Sequence, residues 1–187
     1  MMSVLPLAKI GQLLNRPDYV EEAKYQFLVH VQYLMDRETG AWFHGWTFEG
    51  NHNFARARWA RGNSWLTIVI PEFLELLELP PHDPIRRFLI QVLESQVEAL
   101  AKWQSETGLW HTLLDDSSSY LEASATAGFA YGMLKAVRMR YLDASYYDVA
   151  EKAVKSIIHH ITRKVNWSKS LSAPPWEMTS TITERSL

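Results

Sequence analysis

The amino-acid sequence predicts an all-α chain built from consecutive helix pairs, and three observations carry that expectation. Apolar residues recur at three- and four-residue spacing along most of the chain. Helix-start signals punctuate it, and one turn sequence occurs twice. A chain of 187 residues fits one domain with a substantial core. Period-two alternation is nowhere convincing, so strands are not expected.

The elements follow in order. A short helix is expected over residues 3–14. Pro17-Asp18 opens the second, whose stripe is Val20, Ala23, Phe27, Val31 and Leu34. Trp65, Ile68, Val69, Phe73, Leu76 and Leu77 mark the third, with a kink expected at Pro71 because proline removes a donor and crowds the preceding turn. Asp83-Pro84 reads as an N-cap followed by proline at the first helical position, opening a fourth helix to about Trp103. Ser119-x-x-Glu122 reads as the capping box of a fifth, running to about Tyr141. Asp143 to Ser145 turns the chain into a last helix carrying Val149, Ala153, Ile157 and Ile161.

The repeat organises these helices. Glu38-Thr39-Gly40-Ala41-Trp42-Phe43-His44 recurs as Glu106-Thr107-Gly108-Leu109-Trp110-His111, 68 residues on. Each copy follows a long helix and precedes a loop leading to the next. Repeated helix pairs with equivalent loops suggest a solenoid or a closed helical toroid. The helices make three pairs, half of a six-pair toroid.

Composition narrows the partners. Hydrophobic residues make up 47% and charged residues 21%, as in ordinary globular domains. Net charge is −2 and Lys and Arg never form a long run, which argues against nucleic acid. No stretch of about 18 apolar residues occurs, so no membrane span is expected. The start lacks a basic segment followed by a long apolar one, so no signal peptide is read and a cytoplasmic location is expected. The chain has no cysteine, which excludes disulfides and thiolate chemistry. Eight Trp, eight Tyr and seven Phe favour a ring-lined cleft, although large cores also collect aromatic residues.

Trp59-Ala60-Arg61-Gly62-Asn63-Ser64-Trp65 is the segment richest in recognition chemistry. It sets a permanently charged planar fork between two indole faces, beside a glycine. A guanidinium offers paired donors to a carboxylate. Such a set suits a ligand that is both ring-shaped and acidic, as a uronic-acid sugar is. An Arg–Trp stack that only closes a helix start fits the same residues equally well. His44-Gly45-Trp46 repeats the theme upstream.

Asp36-Arg37-Glu38-Thr39-Gly40 through His44-Gly45-Trp46, and then Trp59 to Trp65, resemble the unsaturated rhamnogalacturonyl hydrolases of glycoside hydrolase family 105, relatives of the family 88 unsaturated glucuronyl hydrolases. Gly108-Leu109-Trp110-His111 and Tyr120-Leu121-Glu122-Ala123-Ser124-Ala125 continue the match, which covers roughly residues 3–165. One departure is Thr47, where the family usually has Asp. The resemblance implies an (α/α)6 barrel, of which this chain would form three of six helix pairs. It implies hydration of the C4=C5 bond of a 4,5-unsaturated uronic acid at the non-reducing end of pectin-derived oligosaccharides, with an Asp as general acid and base and no metal or cofactor. By position, Arg61 would hold the uronate carboxylate, Trp59 and Trp65 would bound the ring, and His44 would hydrogen-bond near it. Trp46, Trp110 and His111 are weaker candidates. Asp115-Asp116 reads as a pair of capping or solvent-facing loop acids.

In the family the catalytic Asp precedes the helix that here follows Met2, so it is expected just upstream of Met1, leaving this chain inactive alone. Residues 1–165 are read as a partial hydrolase domain and 166–187 as an irregular tail. Read in the neighbouring frame, residues 172–187 can encode a Gly-Thr-x-x-Gly…Asp…Tyr-Tyr loop like the family's. Trp176 before Glu177 forces the second Gly, and Met178 before Thr179 forces the Asp. A frameshift between about Asn166 and Ser172 is therefore expected, and an unbroken DNA reading there would dismiss it. A half-toroid also exposes a seam. At about 25 cal/mol per Å² of apolar area, an uncovered seam favours self-association or poor solubility.

Two other readings stay open. One is a non-catalytic helical-toroid module that grips acidic sugars. The other is a different toroid, such as a sugar epimerase, but the seven histidines form no convincing acid–base pair by sequence, and His159-His160 are adjacent and point apart.

Overall fold

A computed structural model of the chain describes residues 3–161. The tail boundary and the frameshift window lie outside these residues. Six helices are described: α1 (Val4–Leu13), α2 (Pro17–Leu34), α3 (Ala60–Leu77), α4 (Pro84–Trp103), α5 (Ala123–Arg138) and α6 (Tyr146–His160). None is long and apolar enough to cross a membrane.

They pack as three pairs, α1 with α2, α3 with α4 and α5 with α6. Contacts α1–α3 and α3–α5 string the odd helices into one layer, and α4–α6 contacts begin a second, outer layer. This is the two-layer arc of a helical toroid, three pairs long. One continuous core fills it, from Val4 and Ala8 through Phe27, Phe73 and Leu93 to Phe129 and Ala153. Along α2, Ala23, Phe27 and Val31 of the expected stripe are buried, with Val20 and Leu34 at its half-buried ends.

The α3–α5 contact is closest where side chains are smallest. Gly128 lies against Ser64, and Gly132 lies against the Thr67 carbonyl so closely that a Cβ there would clash. Pro71 explains why that carbonyl is available. It sits inside α3, which runs unbroken from Ala60 to Leu77, and it lacks the N–H that would bond the carbonyl four residues earlier. Where a kink was expected at Pro71, α3 continues through it, and α5 closes against the carbonyl it frees.

Helix starts were legible with one correction. Asp83 caps α4, accepting from the Ile85 and Arg86 N–H groups. The Ser119 capping box does not form. Glu122 is itself the N-cap of α5, fully buried, and accepts from the Ser124 and Ala125 N–H groups. Ser119 instead ties its own loop, donating to the Asp116 carbonyl at 2.8 Å.

The expectation of no strands is also corrected. β1 (Gly45–Thr47) pairs antiparallel with β2 (His52–Ala55), and β3 (Trp110–His111) with β4 (Leu121–Glu122). These pieces are too short to show alternation, and the pairing partner creates each of them.

The two copies of the repeat adopt the same turn. Gly40 (φ +82°) and Gly108 (φ +91°) are both left-handed, and each presses on a backbone carbonyl of an outer helix, Ser95 of α4 and Lys152 of α6. The next-but-one residue is tryptophan in both. The Trp42 N–H donates to Asn63 Oδ1 (2.8 Å) and the Trp110 N–H to Thr126 Oγ1 (3.1 Å). Asn63 and Thr126 are each the fourth residue of their inner helix. Each turn is therefore locked to the helix it introduces.

Candidate functional site

Both turns lie at the end of the arc where α3 and α5 begin. In the first copy, the β1–β2 hairpin lengthens the path to α3, and a cleft of about 250 Å³ opens beside it. Its lining comes from α2 (His30, Leu34), the turn (Trp42, Phe43, His44) and the start of α3 (Trp59, Gly62, Asn63, Trp65, Leu66). The His44 ring meets the Trp59 indole edge-on at 5.2 Å. Trp65, 45% exposed, offers an open indole on the second turn of α3.

The cleft is apolar with few polar groups, the usual make-up of a small-molecule site. The Trp42 and Trp59 indole Nε1 atoms are buried without a hydrogen-bond partner among the described residues. A buried donor left unpaired costs about 1–3 kcal/mol, a cost these two indoles carry with almost no surface of the nitrogen open to the cleft. Partial burial pushes the His44 and His30 imidazoles below their ordinary pKa, so both are neutral near pH 7. His30 Nδ1 faces the Gln26 carbonyl at 2.6 Å.

Of the residues singled out from sequence, the structure brings His44, Trp59 and Trp65 into the cleft lining. The Arg61 guanidinium lies 5.1 Å from the centre of the Trp59 ring, on the first turn of α3. Trp46 stands apart from this lining and packs on Tyr33 of α2 at 5.2 Å. Trp110 is a core residue, fully buried, its Nε1 donating to the Leu100 carbonyl. His111 Nδ1 is 2.5 Å from the Ser119 carbonyl, which ties together the β3–β4 loop. Asp115 pairs with Arg58 at 2.8 Å, and Asp116 caps the turn at Ser118. His159 and His160 each face a carbonyl of the preceding helical turn, of Lys155 and Ser156 respectively. Thr47 accepts the Glu49 N–H at the hairpin tip.

The residues that hold the cleft in place were not singled out from sequence. Asn63 Nδ2 donates to the carbonyls of Trp42 (2.9 Å) and Trp59 (3.0 Å), so one amide fixes the backbone of two cleft tryptophans. Gln96 of α4 steadies it, donating to the Asn63 carbonyl at 3.0 Å. Arg58 spans Asp36 (2.5 Å) and Asp115 (2.8 Å), tying the first turn to the second. Burial pushes the Asp36 carboxyl up, but hydrogen bonds from Thr39, Arg58 and the Glu38 N–H outweigh it and hold its pKa below the usual range. His30 and His44 share the cleft, a juxtaposition that required knowing which face of α2 turns toward α3. Among the described residues, none that lines the cleft is Asp or Glu.

This geometry has known relatives. The profile of glycosyl hydrolase family 88 matches residues 1–170. The chain belongs to that family. It is 32% identical over 158 residues to the unsaturated rhamnogalacturonyl hydrolase YesR of Bacillus subtilis (strain 168), a match covering 84% of this chain and 44% of that protein. A solved structure from Salmonella enterica subsp. enterica serovar Paratyphi A, described as a possible member of the GH105 family, is 70% identical. It superposes with a TM-score of 0.88, covering 89% of this chain and 44% of that one. The unsaturated glucuronyl hydrolase of Bacillus sp. GL1 shares the fold at 19% identity, with a TM-score of 0.65 over 89% of this chain and 47% of that one. This family 88 chain thus spans less than half the length of each of these relatives.

Proposed function

We propose that this chain carries the uronate-recognition side of an enzyme that hydrates the C4=C5 bond of 4,5-unsaturated uronic acids on pectin-derived oligosaccharides. The observation that carries the reading is the Arg61–Trp59 stack on the first turn of α3, beside a cleft walled by Trp59, Trp65 and His44. The guanidinium binds the carboxylate through paired charge-assisted bonds. The indoles face the ring, and neutral His44 bonds a ring hydroxyl. In the reaction an acid protonates C4 and water adds at C5. The resulting hemiketal opens, breaking the glycosidic bond and releasing the remaining sugar.

Among the described residues, the cleft lining holds no Asp or Glu to supply that proton. The general acid in this reading comes from a segment outside the described residues, and the chain alone binds without turnover. The other reading, a binding module with no catalytic counterpart, shares the same cleft. The names of the relatives, which are unsaturated-sugar hydrolases, favour the first.

Self-association belongs to the same proposal. Leu13 is 82% exposed at the α1 edge of the arc and Ile158 60% exposed on α6. A second copy covers these edges.

Titrating the chain with the methyl glycoside of a 4,5-unsaturated uronate, followed by tryptophan fluorescence, tests the recognition step. Saturable binding is expected, weakened at least roughly tenfold in Arg61→Ala. No binding by the unaltered chain, or equal binding by the variant, overturns the reading.

A further inference from the structure

Two arginines lean on one ring at the edge of the cleft. Phe43, which lines it, has the Arg58 guanidinium 5.1 Å from its ring centre and the Arg56 guanidinium 5.7 Å from it. Both lie within the range of a cation–π contact. Their surroundings differ. Arg58 sits between two carboxylates, Asp36 at 2.5 Å and Asp115 at 2.8 Å, which offset its charge. Arg56 is exposed, and no carboxylate pairs with it among the described residues.

The backbone fixes Arg56 in that place. β2 ends at Ala55, and Ala55 and Ala57 are both buried. The Ala57 carbonyl accepts the His44 N–H at 3.0 Å, which ties the segment to the cleft turn itself. One long cationic side chain is thus set out into water between two small buried ones, against a ring of the cleft wall. Its charge matters because the chain as a whole carries a net charge of −2 and repels an anion. Arg61, the carboxylate partner in the proposed reading, is half-buried on the first turn of α3. Through water a charge reaches only about 8 Å at physiological salt, so a ligand approaching the cleft feels the charges at its edge.

We infer that Arg56 is a steering residue, whose field draws the carboxylate of an acidic sugar to the cleft entrance and on toward Arg61 without holding it in the bound state. The inference rests on the proposed reading of the cleft. A charge acting in this way raises the association rate and leaves the dissociation rate alone. It works through its sign and its place rather than through a planar fork, so lysine serves as arginine does. The Phe43 ring, which attracts a cation to its face, sets where the charge sits.

Stopped-flow tryptophan fluorescence with the methyl glycoside of a 4,5-unsaturated uronate measures both rates. Arg56→Lys, Arg56→Gln and Arg56→Glu make the position positive, neutral and negative in turn. All three replace an exposed side chain, so the fold is expected to persist. At low salt the association rate should be retained in Arg56→Lys. It should fall about two- to threefold in Arg56→Gln and about five- to tenfold in Arg56→Glu, as one and two charges at roughly 6–8 Å in water require. The differences should shrink in 1 M salt, where screening acts within about 3 Å, and dissociation rates should stay unchanged. Arg87→Gln removes the same charge from an exposed residue of α4 beyond the far end of α3. The 18 residues of α3 put about 27 Å between that end and the cleft, so this variant should associate normally. Equal association rates across the Arg56 series overturn the steering role while the cleft reading stands. So does a loss in Arg56→Lys or in Arg87→Gln as large as in Arg56→Gln, or an effect confined to dissociation. Failure of the unaltered chain to bind the probe overturns the cleft reading and the inference with it.

Discussion

Replacing Asn63 with alanine should destabilise the protein far more than its place in a recognition motif suggests. Its side chain accepts the Trp42 N–H at 2.8 Å and donates to the Trp42 and Trp59 carbonyls at 2.9 and 3.0 Å. Trp42 is 2% exposed, so its N–H would be stranded away from water, at a cost of about 1–3 kcal/mol. The Trp59 carbonyl still receives the Asn63 N–H, so losing that second bond costs less. With each remaining bond worth about 0.5–1.5 kcal/mol, the total comes to roughly 3–4 kcal/mol. That is a large share of a typical stability of about 5–15 kcal/mol.

The repeat supplies an internal control. Thr126 holds the equivalent Trp110 N–H by a single 3.1 Å bond and also donates to the Glu122 carbonyl. Thr126→Val removes that hydroxyl at nearly constant volume and should cost about 1–3 kcal/mol. Urea denaturation of the two variants measures both. A cost below about 1 kcal/mol for Asn63→Ala, or one no larger than that of Thr126→Val, would refute the reasoning that one amide anchors the cleft.

Gly40→Ala must place a Cβ against the Ser95 carbonyl at positive φ, whereas Gly50→Ala, also at positive φ, meets only the His52 side chain. Both pay about 1–2 kcal/mol for the left-handed backbone, and thermal melts should show Gly40→Ala to be clearly the worse. The folded-state pKa of Asp36 is depressed, so its contribution is present above the ordinary carboxylate value of about 3.9 and is lost as pH falls through the lower folded value. Stability measured between pH 5 and pH 2, chosen as roughly the span in which such a carboxylate titrates, should fall less steeply in Asp36→Asn than in the unaltered chain. Sedimentation velocity should show concentration-dependent association that Leu13→Glu weakens, and a monomer at all concentrations would count against the proposed edge contact.

The sequence exposed what local chemistry dictates. Pro17 and Asp83-Pro84 mark helix starts because proline and a capping carboxylate act within one turn, and the helices begin there. The twice-occurring Glu-Thr-Gly turn was readable because Gly40 and Gly108 answer a backbone need that few other residues meet. What escaped notice was decided across distance. Ser119 loses the cap of α5 to Glu122 because β4 draws residues 121–122 into pairing with β3. Asn63 matters because Trp42, 21 residues earlier, lies beside it. His30 joins His44 only when α2 is laid against α3. The Arg61–Trp59 stack was visible as two residues separated by a single alanine, but the departure of Trp46 from the cleft toward Tyr33 was not.

The most direct test of the central claim is a crystal structure of the chain with the methyl glycoside of a 4,5-unsaturated uronate bound. The account predicts the uronate carboxylate on the Arg61 guanidinium and its ring between Trp59 and Trp65. Density for the sugar elsewhere, or a uronate whose carboxylate points away from Arg61, would contradict it.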